Sequence, residues 1–422
     1  MRIRSRAAHG GEVINPRDSI VSLAGVVVGQ IALFVCIFVI GRRFGPASLG
    51  HFNYLLALAT FVGTLLAFRY ELACVDDAPG ESFNAFVNVT ALSMIVVAAF
   101  GILIVVAGRG DLHLVAVYAL ASFVQLAAGS YLNSLRRYGW IALSRVVVNG
   151  TFLAGLVLSL ACHACGNVDV FALYAWVTAA VSVVMAATIL FSGHRAGYSF
   201  RLSRGFFVRN RRFALYILPS TLCASVLTYA LSIVIPHWFD AQSAGYFAAA
   251  YRLGFFPVSL IAQSVGGVFR RDAIGAMARP DPDTTVPRVY RTYARALTVL
   301  AAVYMAGGLL LFAPLVNLFF GESWRGSVGF YRSLMPLFAL QLIYVPLSQI
   351  FLATRAQRID FLFQLTCGVC LAGALGIARL MNLSAPTSVQ VFSLTGAALM
   401  AAGIALTYRV LGTSLSRSRA LA

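Results

Sequence analysis

Residues Phe44–Leu58 read F-G-P-A-S-L-G-H-F-N-Y-L-L-A-L, and residues Phe239–Leu253 read F-D-A-Q-S-A-G-Y-F-A-A-A-Y-R-L. At an offset of 195 positions Phe44 meets Phe239, Ser48 meets Ser243, Gly50 meets Gly245, Phe52 meets Phe247 and Leu58 meets Leu253. Each copy follows one long apolar segment and opens the next. A repeat spaced by about half the chain predicts two related lobes. Chance matching among apolar residues is the competing explanation, and the shared placement between hydrophobic spans argues against it. The copies differ where the first has Ala57 and the second has Arg252, a charge inside an apolar run.

Working outward, 60% of the 422 residues are hydrophobic, only 11% are charged, and the mean hydropathy is +0.84. That balance belongs to a polytopic membrane protein. The net charge is +18, from 32 basic and 14 acidic residues, and every Lys/Arg position is Arg. A basic surplus can signal nucleic acid. Here the arginines sit in short segments between apolar runs, so membrane orientation explains them and no nucleic-acid partner is expected. The run Ser19–Gly41 exceeds the roughly 7–15 residues of a signal-peptide core and is expected to stay as the first span.

A span takes about 20 apolar residues. On that ruler spans fall near 19–41, 50–69, 85–107, 112–133, 141–162, 170–192, 213–236, 244–268, 294–319, 330–353, 360–380 and 386–410. The expected fold is therefore all-α, with about twelve transmembrane helices in two six-helix lobes related in parallel. The lobes are 1–192 and 213–422, joined by a polar linker at 193–212. With the N-terminus inside, 24 arginines fall in cytoplasmic segments. Six fall outside: Arg42, Arg43, Arg109, Arg325, Arg332 and Arg379. That bias places both termini in the cytoplasm. The first lobe has no proline inside a span; the second has Pro219, Pro257, Pro314, Pro336 and Pro346. Each removes a backbone donor and tends to kink its helix. Pro257, Pro336 and Pro346 are candidate hinges, or simply shape the bundle.

Arg252 lies about eight residues into its span, roughly 12 Å deep at 1.5 Å per residue. An arginine that deep should face protein or a wet cavity. Ser259 and Gln263 follow at spacings that share its helix face. Either these form an anion contact in a cavity, or backbone carbonyls at the Pro257 kink hold the charge. Arg145, with Asn149 four residues on, is a second candidate, although it can snorkel to the cytoplasmic side. No carboxylate falls mid-span; Glu71 and Asp360 lie at span edges. Arginine without acid favours an anionic cargo over a cationic one. No Walker loop, HExxH, GxSxG or DxD-type metal pair occurs, so neither an enzyme nor a metal or cofactor site is expected. Cys162 and Cys165 have CxxC spacing, but one pair lacks the four ligands of a structural zinc site. Two free thiols or a disulfide both fit.

R-F-G-P-A-S-L-G-H-F from Arg43, F-R-Y-E-L-A from Phe68 and S-A-G-Y-F-A-A-A-Y-R-L from Ser243 resemble the Wzx-type polysaccharide-lipid flippases. These belong to the MOP superfamily, with the MATE exporters and lipid II flippases. The resemblance runs over most of the chain and is strongest near 19–80 and 213–270. It implies two six-helix lobes in a V around a cationic cavity, alternating access, and sugar units on undecaprenyl diphosphate as cargo. It further implies that Arg252 and Arg145 meet the diphosphate and that Arg69 with Glu71 form a gate pair. The expected setting is the bacterial inner membrane, in the synthesis of O-antigen, capsule or exopolysaccharide. Partners would be membrane lipids, a polysaccharide polymerase and glycosyltransferases. A MATE-like small-molecule exporter and a membrane polysaccharide polymerase or ligase are the alternatives.

Overall fold

The computed structural model describes residues 16–75, 78–108, 110–161, 169–199, 201–277, 279, 281–354 and 356–421. Side chains are described from Val28 onward, apart from those of 111, 263, 282, 283 and 413–421. Arg109, Cys162 and Cys165 lie outside the described residues, as does the side chain of Gln263.

Lipid offers backbone N–H and C=O groups no water, so apolar segments satisfy them internally as helices. The described residues contain no strand, and eleven helices are long and apolar enough to cross a membrane. The first five are α1 (Pro16–Leu65), α2 (Pro79–Val106), α3 (His113–Ser134), α4 (Tyr138–Ala161) and α5 (Val170–Arg195). A short α6 (Arg204–Arg209) leads through a π-helical turn, Phe213–Ile217, into α7 (Leu218–Trp238). Then come α8 (Ala241–Met277), α9 (Pro282–Phe320), α10 (Gly326–Leu347), short α11 (Gln349–Ala353), α12 (Gln357–Leu380) and α13 (Ala385–Leu421).

The twelve expected spans become eleven helices because α1 carries the first two. Its 50 residues are two helical segments that meet at a kink at Gly45, whose φ of 82° and ψ of 179° are non-helical and open to glycine, with Pro46 directly after it. Pro46 therefore falls between the first two spans, and residues 42–49 join them through a tight kink rather than an extended loop.

The chain divides into two compact units. The first is Met1–Val39 with Tyr54–Pro219, and the second is Ile40–Asn53 with Ser220–Ala422. The middle of α1, which holds most of the first repeat copy, thus groups with the C-terminal half.

In the first unit α2 and α3 pack through Phe83, Phe86, Phe123, Ala127 and Tyr131, with Phe206 of α6 in the same core. The polar segment before α6 is bound to this core. Asn84 Oδ1 accepts from Arg201 N (3.0 Å), Asn88 Oδ1 accepts from Ser203 N (3.1 Å), and Asn88 Nδ2 donates to Arg201 O (3.0 Å). Tyr70 packs edge-on against Phe207. The segment expected as a linker is therefore docked on the first unit.

In the second unit α10 is the buried axis. Phe330 meets Phe247 of α8, Phe338 meets Tyr251 and Phe255, and Tyr331 stacks on Phe312 of α9 with centroids 3.8 Å apart. Tyr304 OH donates to Gly254 O at 2.9 Å. α10 ends at Leu347, one residue after Pro346.

Candidate functional site

The repeated stretches touch each other inside the second unit. A Cβ on Gly245 would stand 2.0 Å from Pro46 O, and one on Gly50 would stand 2.7 Å from Gly245 N. Real Cβ atoms do not approach so closely, so glycine at both positions allows α1 and α8 to cross backbone to backbone. The repeated glycines read from the sequence are the two sides of one crossing.

Beyond this crossing lies Arg252. Its Nε donates to Asn53 Oδ1 at 2.9 Å. Asn53 is buried and Arg252 half-buried. Among the described residues no carboxylate pairs with Arg252, and its terminal nitrogens have no hydrogen bond. A neutral amide therefore orients the guanidinium without cancelling its charge. The sequence reading missed Asn53. At the repeat offset Asn53 matches Ala248 and Ala57 matches Arg252, so each copy supplies one partner and lacks the other. Ser259, two turns on, donates to Phe256 O of its own helix at 3.0 Å.

Arg145 and Asn149 belong to the first unit. Asn149 is a bracket: Nδ2 donates to Gly29 O (2.8 Å), Oδ1 accepts from Tyr174 OH (3.4 Å), and its carbonyl accepts from Cys36 Sγ (3.8 Å). It ties α4 to α1 and α5. Arg145 is exposed, and its Cβ faces Gly29.

Arg69 and Glu71 form an ion pair, Nη1 to Oε1 at 2.9 Å, with Glu71 only 1% exposed. Both Glu71 oxygens and Arg69 Nε lack an aligned hydrogen bond. Phe68 and Arg69 have φ of 51° and 67°, each a left-handed conformation that costs a non-glycine residue about 1–2 kcal/mol. Burial pushes the Glu71 carboxyl above its ordinary range, and Arg69 opposes the rise. Ser82 closes the corner by donating to Cys74 O, and its Oγ lies 2.9 Å from Ser134 Oγ. Of the candidate hinges, Pro257 lies within α8, and Pro336 and Pro346 within α10. No metal-ligand cluster occurs among the described residues.

The architecture is similar to that of several solved membrane proteins. The lipid II flippase MurJ in an inward closed conformation has a similar fold, with a TM-score of 0.69 at 13% identity, covering 95% of this chain and 91% of that one. An outward-facing multidrug resistance MATE family transporter of the MOP superfamily gives a TM-score of 0.61 at 18% identity, covering 95% and 96%. An inward-facing one gives 0.60 at 14%, covering 96% of each chain. At such identities the likeness is one of fold. No curated protein matches the sequence. The family model described as "Polysaccharide biosynthesis protein" matches residues 16–269. The chain belongs to that family.

Proposed function

We propose that the protein is a flippase that moves undecaprenyl-diphosphate-linked oligosaccharide across the bacterial inner membrane by alternating access. Its family membership and its fold support transport over catalysis. The observation that carries the cargo assignment is Arg252, a guanidinium with no carboxylate partner among the described residues, held on an apolar helix by the buried amide of Asn53. A permanent cation inside a span is costly unless a wet cavity or an anion meets it. The free fork of Arg252 suits the paired oxygens of a diphosphate. The diphosphate and sugars need that polar path, while the polyprenyl tail can remain in lipid. Arg145 is a second candidate anion contact, in the first unit. Arg69 and Glu71 would act at a cytoplasmic gate, and a polymerase and glycosyltransferases would work on either side of the step.

The test is surface polysaccharide, measured by immunoblot in a deletion strain complemented with Arg252→Ala. Loss of polysaccharide with normal protein in the membrane fraction supports the reading; wild-type polysaccharide overturns it. The MATE-like fold favours one second reading, an exporter of small molecules. Drug sensitivity of the deletion strain, with normal polysaccharide, would select it.

A further inference from the structure

Six arginines fall on the face that the charge bias reads as outside, and each needs a local reason. Arg379 has one: its guanidinium lies over the Trp238 ring, 5.6 Å from the centroid. Arg325 and Arg332 share another. They line one groove of about 450 Å³ between the end of α9 and the start of α10. Pro314 and Asn317 form the α9 wall, and Arg325, Val328, Gly329 and Arg332 form the α10 wall. The spacing on α10 is i, i+3, i+4, i+7, so these four residues share one helix face. Gly329 leaves the floor low, for a Cβ there would meet nothing within 4 Å.

Arg325 rests on Glu322 (Nη2 to Oε1, 3.1 Å), and that acid is exposed at the rim. Arg332 has no ion pair or hydrogen bond among the described residues, although it lies two turns inside a membrane-spanning helix. The groove therefore keeps an uncancelled positive charge. A soluble anion would need only that charge. On α9, Leu310 precedes Pro314 by four residues and Asn317 by seven, so it shares their helix face, and both it and Val303, two turns further in, are exposed. A charged pocket at the end of an exposed apolar stripe fits a molecule with a phosphate at one end and an alkyl chain at the other. Long arginine stems reach such headgroups from within a span by snorkelling. The first N–H groups of α10, beside Arg325, add to the attraction for an anion.

We propose that the α9–α10 groove is a lipid-phosphate subsite, distinct from Arg252, that seats the phosphate of a membrane lipid between Arg325 and Arg332 with its chain along α9. The inference concerns binding at this groove and does not depend on the transported cargo.

The experiment uses the purified full chain in detergent. Binding is read by native mass spectrometry and thermal shift with three probes: dioleoyl phosphatidic acid, dioleoylglycerol with the same tails and no phosphate, and inorganic phosphate. Losing two charge-assisted contacts should cost at least about tenfold in affinity. Wild type should thus prefer phosphatidic acid to dioleoylglycerol by about tenfold or more. The Arg325→Gln/Arg332→Gln pair should lose that preference. Gly329→Leu, which fills an open floor and leaves both charges, should lose it too. Arg379→Gln should retain it. Equal preference in wild type and in Gly329→Leu would overturn the site, even if the double variant folded poorly. Inorganic phosphate binding as tightly as phosphatidic acid would overturn the lipid assignment.

Discussion

Arg252 is held inside its helix by a neutral partner, the Asn53 amide. A hydrogen bond to a charged group is worth about 1.5–3 kcal/mol, so Asn53 is a substantial positioning residue for the guanidinium. Asn53→Ala should therefore reduce surface polysaccharide about tenfold or more, by releasing Arg252 from its orientation. Arg252→Lys should retain partial activity, because a point charge attracts a diphosphate but lacks the bidentate fork. Arg252→Glu should retain none. Immunoblots of surface polysaccharide, normalised to membrane protein, read all three; full activity in Asn53→Ala would separate the amide from the function. Arg69 and Glu71 make a different case. Glu71 is buried and strained backbone surrounds its partner. Removing one partner of a buried pair costs about 3–5 kcal/mol, since the other charge is left uncompensated. Arg69→Ala should lower the Tm sharply, and adding Glu71→Gln should restore much of the loss. Additive losses in that cycle would mean the two side chains do not act as a pair.

At the scale of elements, the crossing of α1 and α8 depends on two glycines. Gly245→Ala places a methyl group against Pro46 O with no flexible side chain to yield. Overpacking of this kind costs about 1–3 kcal/mol, so the variant should show a lowered Tm; an unchanged Tm would mean the helices can separate freely here. Pro257 sits further along α8, one turn beyond Arg252. If its kink bends during transport, Pro257→Ala should slow polysaccharide export more than it lowers protein level, and equal losses would return it to shaping the helix. The same elements show what the sequence could reveal. Hydropathy found the helices because twenty apolar residues have one stable fate in lipid. It could not see that the first two spans join through a single kink at Gly45 rather than a loop, since glycine and proline there look like loop residues. Gly50 and Gly245 were legible through their repetition, but their contact was not. The Arg252–Asn53 bond joins residues 199 positions apart, and no local pattern encodes such a pairing. Asn149 follows Arg145 by four residues on α4, and its amide is engaged with Gly29 and Tyr174. Helical spacing predicts a face, not the neighbour it meets.

For the whole molecule, the question that geometry and charge answer jointly is orientation. A hydrocarbon core is about 30 Å thick and a helix rises about 1.5 Å per residue, so about 20 residues suffice to cross. α8 and α9 have 37 and 39 residues, and so both overshoot. The excess lies at the α8–α9 connection, where Arg270, Arg271, Arg279, Arg288, Arg291 and Arg295 are all exposed. At the opposite ends, the α7–α8 and α9–α10 connections are short. Translocating six arginines on protruding helix ends would be unfavourable, so the positive-inside rule predicts that this connection is cytoplasmic. The docked segment and α6 carry Arg201, Arg204 and Arg209 and should share that side, together with both termini. A periplasm-dependent reporter such as alkaline phosphatase should therefore be silent when fused after Arg204, Arg279 or Ala422. It should be active after Gly321, in the α9–α10 connection that holds the proposed lipid-phosphate groove. A strong signal after Arg279 would invert the protein, because an exposed cluster of six arginines would then have crossed. The groove of Arg325 and Arg332 would in that case face the cytoplasm, and its lipid would have to come from the inner leaflet.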